Sequence, residues 1–214
     1  MDNVKQFSMR IYDKYILPRL THWVCSGNDV TSQRKKIIPH ARGRVLEIGI
    51  GSGLNLPFYK ADNIDCLWGI DPSKQLQKIA RQNAAGIPFD INLIGQSGED
   101  IPLANSSVDT IVVTYTLCTI ANIHKALKEM NRVLKPKGVL IFCEHGIAPD
   151  NNIAKWQNRL NPAWKSIAGG CNLNRDIPGL IKNSGFKIKN LDMMYMGNFR
   201  LLSFNYQGFA VKSQ

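Results

Sequence analysis

Short β-branched apolar runs alternate through the middle of the chain with segments whose apolar residues recur every three or four positions. The runs 44–48, 66–70, 90–94, 108–113 and 139–143 read as strands, and the near-continuous apolarity of the last two suits strands buried on both faces. Between them, Asp71-Pro72-Ser73 opens a helix, with proline at an early position where its missing N–H costs no bond. Leu76, Ile79 and Ala80 give that helix one apolar side. A second helix runs from about Asn122 to Leu134, with Ala126, Leu127, Met130 and Val133 on one face, and stops at Lys135-Pro136-Lys137-Gly138. Strands alternating with helices predict an α/β fold, a doubly wound and mostly parallel sheet.

Beyond residue 145 the rhythm changes. Residues 150–168 read as a helix with Ile153, Trp156, Leu160 and Trp164 on an apolar face, broken or kinked at Pro162. A further helix is expected from Asp176 to Ser184, ending at Gly185. The closing runs 186–195 and 202–211 pair as antiparallel strands, bringing the sheet to seven. Residues 1–43, with Phe7, Tyr12, Tyr15, Leu17, Leu20 and Trp23, form a helical segment expected to act as a lid. Residues 44–214 form the main domain, with a helical insertion at about 149–176.

Composition narrows the class. The 214 residues are 44% hydrophobic and 20% charged, which excludes a disordered or fibrous chain. No run reaches the roughly 18 apolar residues of a membrane span, and no secretory signal opens the chain, so the expected location is cytoplasmic. The five cysteines are odd in number and widely spaced without a Cys-x-x-Cys, which argues against a disulfide framework or zinc ribbon; no metal site is expected. Net charge is +11, but the basic residues are scattered, and the one tight cluster, Arg34-Lys35-Lys36, reads as a solvated helix face.

The first strand runs into Leu46-Glu47-Ile48-Gly49-Ile50-Gly51-Ser52-Gly53. Glycines there let the backbone turn tightly and approach a ligand. A dinucleotide fingerprint would need glycine or alanine at residue 54, which is Leu54, and no Gly-Lys-Ser/Thr follows for a Walker loop. The second strand ends at Asp71, 18 residues past Gly53, where a carboxylate can accept from both hydroxyls of a ribose. With Gly98-Glu99-Asp100-Ile101-Pro102-Leu103, Ser107-Val108-Asp109 and Arg132-Val133-Leu134-Lys135-Pro136-Lys137-Gly138 in the same order, the chain resembles the class I S-adenosylmethionine-dependent methyltransferases with a type 11 methyltransferase domain. The resemblance covers roughly residues 44–146.

Carried over by position, the resemblance implies that S-adenosyl-L-methionine is bound through Glu47 at its methionine end and along Gly49, Gly51 and Gly53. Asp71 would hold the ribose and Pro72 would lie beside the adenine. Gly98 and Glu99 would meet the adenine edge, with Ser97 standing where many relatives have aspartate, and Thr116 joins the cofactor set. Residues after the fourth and fifth strands face the open sheet edge, where acceptors bind. There His145 is the candidate general base, its ordinary pKa lying near neutrality. Glu144 orients it or braces a helix, and Cys118 is either reactive or a small apolar filler.

The later segments Trp156-Gln157, Asn161-Pro162-Ala163-Trp164 and Gly170-Cys171-Asn172-Leu173 are similar to a bacterial group and, more distantly, to animal membrane-associated thiol methyltransferases. Those animal proteins carry a hydrophobic anchor, which the segment Tyr12 to Arg19 does not resemble. The expected function is methylation of a small, apolar acceptor: a thiol, a phenol or quinone, or an amine. RNA methylation and a non-catalytic interaction subunit are the alternatives. Against nucleic acid, no appended RNA-binding module is visible, and the fourth strand leads into Thr114-Tyr115-Thr116-Leu117 rather than an Asn/Asp-Pro-Pro-Tyr/Phe motif. No integral membrane partner is expected, peripheral contact and oligomeric state being left open.

Overall fold

The computed structural model describes residues 16–17, 22–23, 25–197 and 199–213. The strands are β1 (Gly43–Ile48), β2 (Ile64–Ile70), β3 (Asp90–Ile94), β4 (Val108–Thr114), β5 (Leu134–His145), β6 (Phe186–Tyr195) and β7 (Phe204–Lys212). They form one seven-stranded sheet in the order β3-β2-β1-β4-β5-β7-β6. The pairs from β3 to β5 are parallel, while β7 lies antiparallel between β5 and β6. The helices are α1 (Asn28–Ile37), α2 (Lys74–Asn83), α3 (Ile123–Val133), α4 (Asn151–Ile167) and α5 (Ile177–Lys182). Of the residues named for the expected lid, Phe7, Tyr12, Tyr15 and Leu20 lie outside the described residues.

Both sheet faces are buried, and the two-residue period of a strand sorts the core into two layers. Leu46, Ile48, Ile111, Val113, Leu140 and Phe142 pack with Ala126, Leu127 and Met130 of α3 and Ile177 and Ile181 of α5. Val45, Leu67, Val112, Ile141 and Cys143 point the other way, against Ile37, Ile38, Leu56 and Tyr59.

The motifs around residues 100–138 turn out to be clasps. Arg132 donates to the carbonyls of Ile101 and Leu103 at 2.8 Å and pairs with Glu129. Lys135 pairs with Asp109 at 2.7 Å, holding the start of β4 to the start of β5. Instead of merely stopping a helix, Lys135 to Gly138 are the first turn-free half of β5, which is longer than the expected run.

Several local expectations need correction. The helix expected at Asp71 begins at Lys74; Ser73 caps it by accepting from the Leu76 amide, so Pro72 precedes the cap. Pro162 does not break α4, which continues to Ile167. Asn158, whose carbonyl loses its amide partner there, is exposed, so water is at hand to replace the bond. The apolar side of α4 is only partly its buried side: Ile153 packs against the core and Trp164 is half-buried, but Trp156 is 52% exposed and Leu160 40%, whereas Gln157 is 1% exposed. Gln157 turns inward because it can both accept from the Ala148 amide and donate to the Gly146 and Leu201 carbonyls. Among the described residues, no helix is long and apolar enough to cross a membrane.

The β6–β7 pairing skips Lys189, because Ile188 pairs with Ala210 and Asn190 with Phe209. Opposite that bulge sits Gly208, where a Cβ would fall 2.1 Å from the Asn190 carbonyl oxygen. Backbone cannot retreat as a flexible side chain can. Gly208→Ala is expected to lower stability by about 1–3 kcal/mol in urea unfolding, the usual range for overpacking; an unchanged midpoint would show that the bulge yields freely.

Candidate active site

The loop after β1 is a chain of left-handed glycines, with φ of 70° at Gly49, 56° at Gly51 and 81° at Gly53. A Cβ at Gly49 would strike Thr116 Oγ1 at 2.1 Å, so this backbone lies directly against the segment after β4. At Gly51 the nearest atom to such a Cβ is 3.9 Å away, so that face of the loop is open. Asp71 directly follows β2, its Oδ2 accepting from the Gly51 amide at 3.0 Å and its Oδ1 from the Ser73 amide at 2.8 Å. Burial raises the Asp71 pKa, and those two amides act against the rise. Gly98 is buried where a Cβ would meet Ile48. The hydroxyl of neighbouring Ser97 accepts from the Glu99 amide. Glu99 Oε1 accepts from the Asn122 amide at 2.7 Å, at the start of α3.

Behind the loop lies a buried polar network. Glu47 accepts from Asn55 Nδ2 at 2.8 Å and Tyr59 Oη at 2.7 Å. Arg34 is only 5% exposed, and its Nη1 donates to Asn55 Oδ1 and Thr114 Oγ1. The reading of Arg34-Lys35-Lys36 as one solvated face therefore holds for the two lysines and fails for Arg34. A buried guanidinium needs acceptors and a counter-charge, and Asn55, Thr114 and Glu47 provide them. Asn55, Tyr59 and Thr114 carried no sequence signal, because a single polar residue in a loop looks the same whether it braces a site or faces water.

At the other side of the cleft, Tyr115 follows β4 with φ of 53°, a conformation rare for a bulky residue. The chain turns there, and the amides of Thr116, Leu117 and Cys118 converge on the carboxylate of Glu144 at 2.7, 2.9 and 3.4 Å. Glu144 is fully buried; burial raises its pKa against the opposing pull of those amides and of His145. It braces the post-β4 loop instead of orienting His145. The two stand side by side on β5, paired with Tyr206 and Asn205 of β7, without the turn that would send both into one pocket.

His145 is half-buried, and its Nε2 lies 3.0 Å from Cys171 Sγ. Burial disfavours the imidazolium, but the hydrogen bond to Cys171 and the charges of Cys171 and Glu144 outweigh it, so the His145 pKa is raised. Cys118 is 2% exposed. The hydrogen bond with Cys118, followed by burial, raises the Cys171 pKa against the opposing pull of His145. Arg175 donates to the Leu117 carbonyl and, at 2.7 Å, to that of Ile120. All five cysteines are free thiols. Nothing in the spacing of the cysteines joins Cys118 with Cys171, because their meeting depends on how the segment after α4 folds back.

Burial lifts the Glu47 pKa from 4.5 to about 7, against hydrogen bonds from Tyr59 and Asn55 and the charge of Arg34, with Asp71 adding to the rise. A raised carboxyl favours folding while protonated in both states, below about pH 4.5, and loses that benefit as pH rises through about 7. Glu47→Gln carries no such charge. Its unfolding free energy relative to the unmodified protein is expected to rise by about 3 kcal/mol between pH 4.5 and 8. A pH-independent difference in urea titrations would refute the shift.

A family model described as a methyltransferase domain matches residues 46–142. The human thiol S-methyltransferase TMT1A is 30% identical over 213 residues, 92% of this chain and 85% of its own. The human TMT1B is 31% identical, covering 82% of this chain and 75% of its own. The rat TMT1B aligns at 35% identity over 62% of this chain, which spans only 55% of that relative. Among solved structures, a SAM-dependent methyltransferase from Thermotoga maritima superposes with a TM-score of 0.67 at 18% identity, over 96% of this chain and 99% of its own, a likeness of fold. A glycine loop over an acidic strand end, the 3-2-1-4-5-7-6 sheet and near full-length similarity to methyltransferases all agree: the chain belongs to the class I S-adenosylmethionine-dependent methyltransferases.

Proposed function

We propose that the protein methylates the sulfur of a small, apolar thiol. The observation that carries this reading is the extent of the similarity to TMT1A, which is named a thiol S-methyltransferase and aligns with 92% of this chain, beyond the shared cofactor half. The site's chemistry supports it. An amine acceptor favours a carboxylate free to receive an ammonium, but Glu144 is committed to three loop amides.

S-adenosylmethionine supplies an electrophilic methyl group on a sulfonium, and the residues present fit it. Each Asp71 oxygen accepts one amide and retains a lone pair for a ribose hydroxyl. The open face of Gly51 leaves room for the methionine portion, along Gly49 and Gly53. Glu47 acts on that end through the loop, since both its oxygens are held by Asn55 and Tyr59. Pro72, exposed beside Asp71, and Ser97, Gly98 and Glu99 frame the adenine; Glu99 does so through its backbone, its carboxylate being engaged with Asn122. Thr116 closes the loop against the acceptor side. An in-line displacement depends chiefly on aligning the nucleophile and excluding water. His145 is the residue we assign to activating the acceptor.

Two measurements test this reading. Asp71→Ala is expected to weaken S-adenosylmethionine binding by about 1.5–3 kcal/mol in calorimetry, the scale of hydrogen bonds to a charged group; unchanged affinity in a folded variant would remove Asp71 from the site. In a screen for S-adenosylhomocysteine release, small apolar thiols should turn over while phenols, quinols, amines and bulk RNA do not. Turnover of any of those classes without thiols would overturn the proposed acceptor.

A further inference from the structure

Three side chains able to bind a soft cation meet beside the acceptor end of the cleft. Cys118 follows β4, His145 ends β5 and Cys171 lies in the turn after α4. Their ligand atoms all fall within 4.8 Å of one another, with His145 Nε2 3.0 Å from Cys171 Sγ. Zinc bonds of about 2.3 Å to sulfur and about 2.0 Å to nitrogen put tetrahedral ligands roughly 3.5–3.8 Å apart. The observed separations bracket that range, so small side-chain rotations suffice.

The cluster is also held in place from outside. The Cys118 carbonyl accepts from both the amide and Nδ2 of Asn172 at 2.9 Å, tying the two cysteine-bearing segments together. The Cys118 amide is held by Glu144, and Arg175 bridges the Leu117 and Ile120 carbonyls. Cys118 is buried while His145 and Cys171 are half-buried, so the cluster opens on one side.

We propose that Cys118 Sγ, His145 Nε2 and Cys171 Sγ bind one zinc ion whose fourth position stays open to the acceptor's sulfur. Only the last clause rests on the thiol reading given above. Three protein ligands with one open position is the pattern of catalytic zinc, whereas structural sites are closed by a fourth ligand. Metal binding takes the thiol protons of Cys118 and Cys171 into solvent, and the two thiolates neutralise the dication. An acceptor thiol then loses its proton to water as its S–Zn bond forms. Its sulfur keeps the electron pair that makes the new bond to the methyl carbon, while the pair of the broken sulfonium bond stays on the departing thioether. The Arg175 guanidinium stands beside the negative charge that a third thiolate brings. On this reading His145 activates the acceptor as a ligand and not as a base.

The test uses the full chain, reduced and freed of metal by a chelator. Titration with zinc against a chromophoric chelator should give one ion per chain, and cobalt in its place should show the intense visible bands of a tetrahedral site with thiolate charge transfer. Cys118→Ser, Cys171→Ser and His145→Gln should each weaken zinc by at least about 100-fold, the upper end of what losing a mere outer-shell partner costs. Cys66→Ser, on β2, should leave it unchanged. No stoichiometric binding by the folded protein, or an octahedral cobalt spectrum, overturns the site, and the cobalt spectrum decides even if a variant fails to fold. Cys25 lies within electrostatic reach of Cys171; loss of zinc in Cys25→Ser would mean a closed site and overturn the open position. Zinc binding without thiol turnover would count against the acceptor alone, and thiol turnover unaffected by metal removal would overturn the role given to the ion.

Discussion

The loop after β4 hangs on one buried carboxylate. Glu144 is wholly out of water and takes the successive amides of Thr116, Leu117 and Cys118. Those amides begin a turn forced by the left-handed Tyr115, and no regular element follows to satisfy them. A carboxyl group in that position is expensive to bury unless it is hydrogen-bonded, and here three backbone amides donate to it. The consequence runs outward in both directions. Thr116 is fixed against Gly49, which closes the cofactor loop, and Cys118 is fixed where Asn172 can reach its carbonyl.

A second buried charge does the matching task on the cofactor side. Arg34 reaches from α1 to Thr114 at the end of β4 and to Asn55 beyond the glycine loop, while Asn55 and Tyr59 hold Glu47. The two networks meet across Thr114 to Thr116, so the ends of β1, β4 and β5 are set relative to one another by polar contacts, not by the apolar layers alone. Apolar packing tolerates small shifts at little cost. Hydrogen bonds to buried charges do not, and a methyl transfer in line needs that finer alignment.

The fold was legible because its signals are local and repetitive. Strand runs such as 90–94 and 186–195 match the observed elements to the residue, and Asn122 and Asp176 cap their helices as side-chain chemistry demands. The glycine loop was legible for the same reason, since the glycines and Asp71 announce a backbone conformation and a strand end. What escaped were contacts made at long range. Arg34 sits in a basic run and nothing adjacent distinguishes it from Lys35 and Lys36; only the arrival of Asn55 and Thr114, 21 and 80 residues away, makes it internal. Gln157 replaced Trp156 as the inward residue of α4 because three backbone partners waited for it, which periodicity of apolar residues cannot anticipate.

The placement of sulfur in this chain follows from the same division of labour. Glu144 is spent on the loop amides and Glu47 on Asn55 and Tyr59, so both carboxylates are hydrogen-bonded to the protein's own groups. Beside Cys118 stand Thr119 Oγ1, Cys171 Sγ and His145 Nε2, with the cation of Arg175 nearby. The thiol acceptor we propose suits such surroundings. It needs to lose one proton, it is stabilised as an anion by a neighbouring positive charge, and its sulfur prefers a soft partner to an oxygen donor. An ammonium gains nothing from Arg175, and a catechol or quinol would call for hard oxygen ligands that the cluster does not offer. The proposed acceptor chemistry thus follows from what the carboxylates Glu47 and Glu144 are already holding.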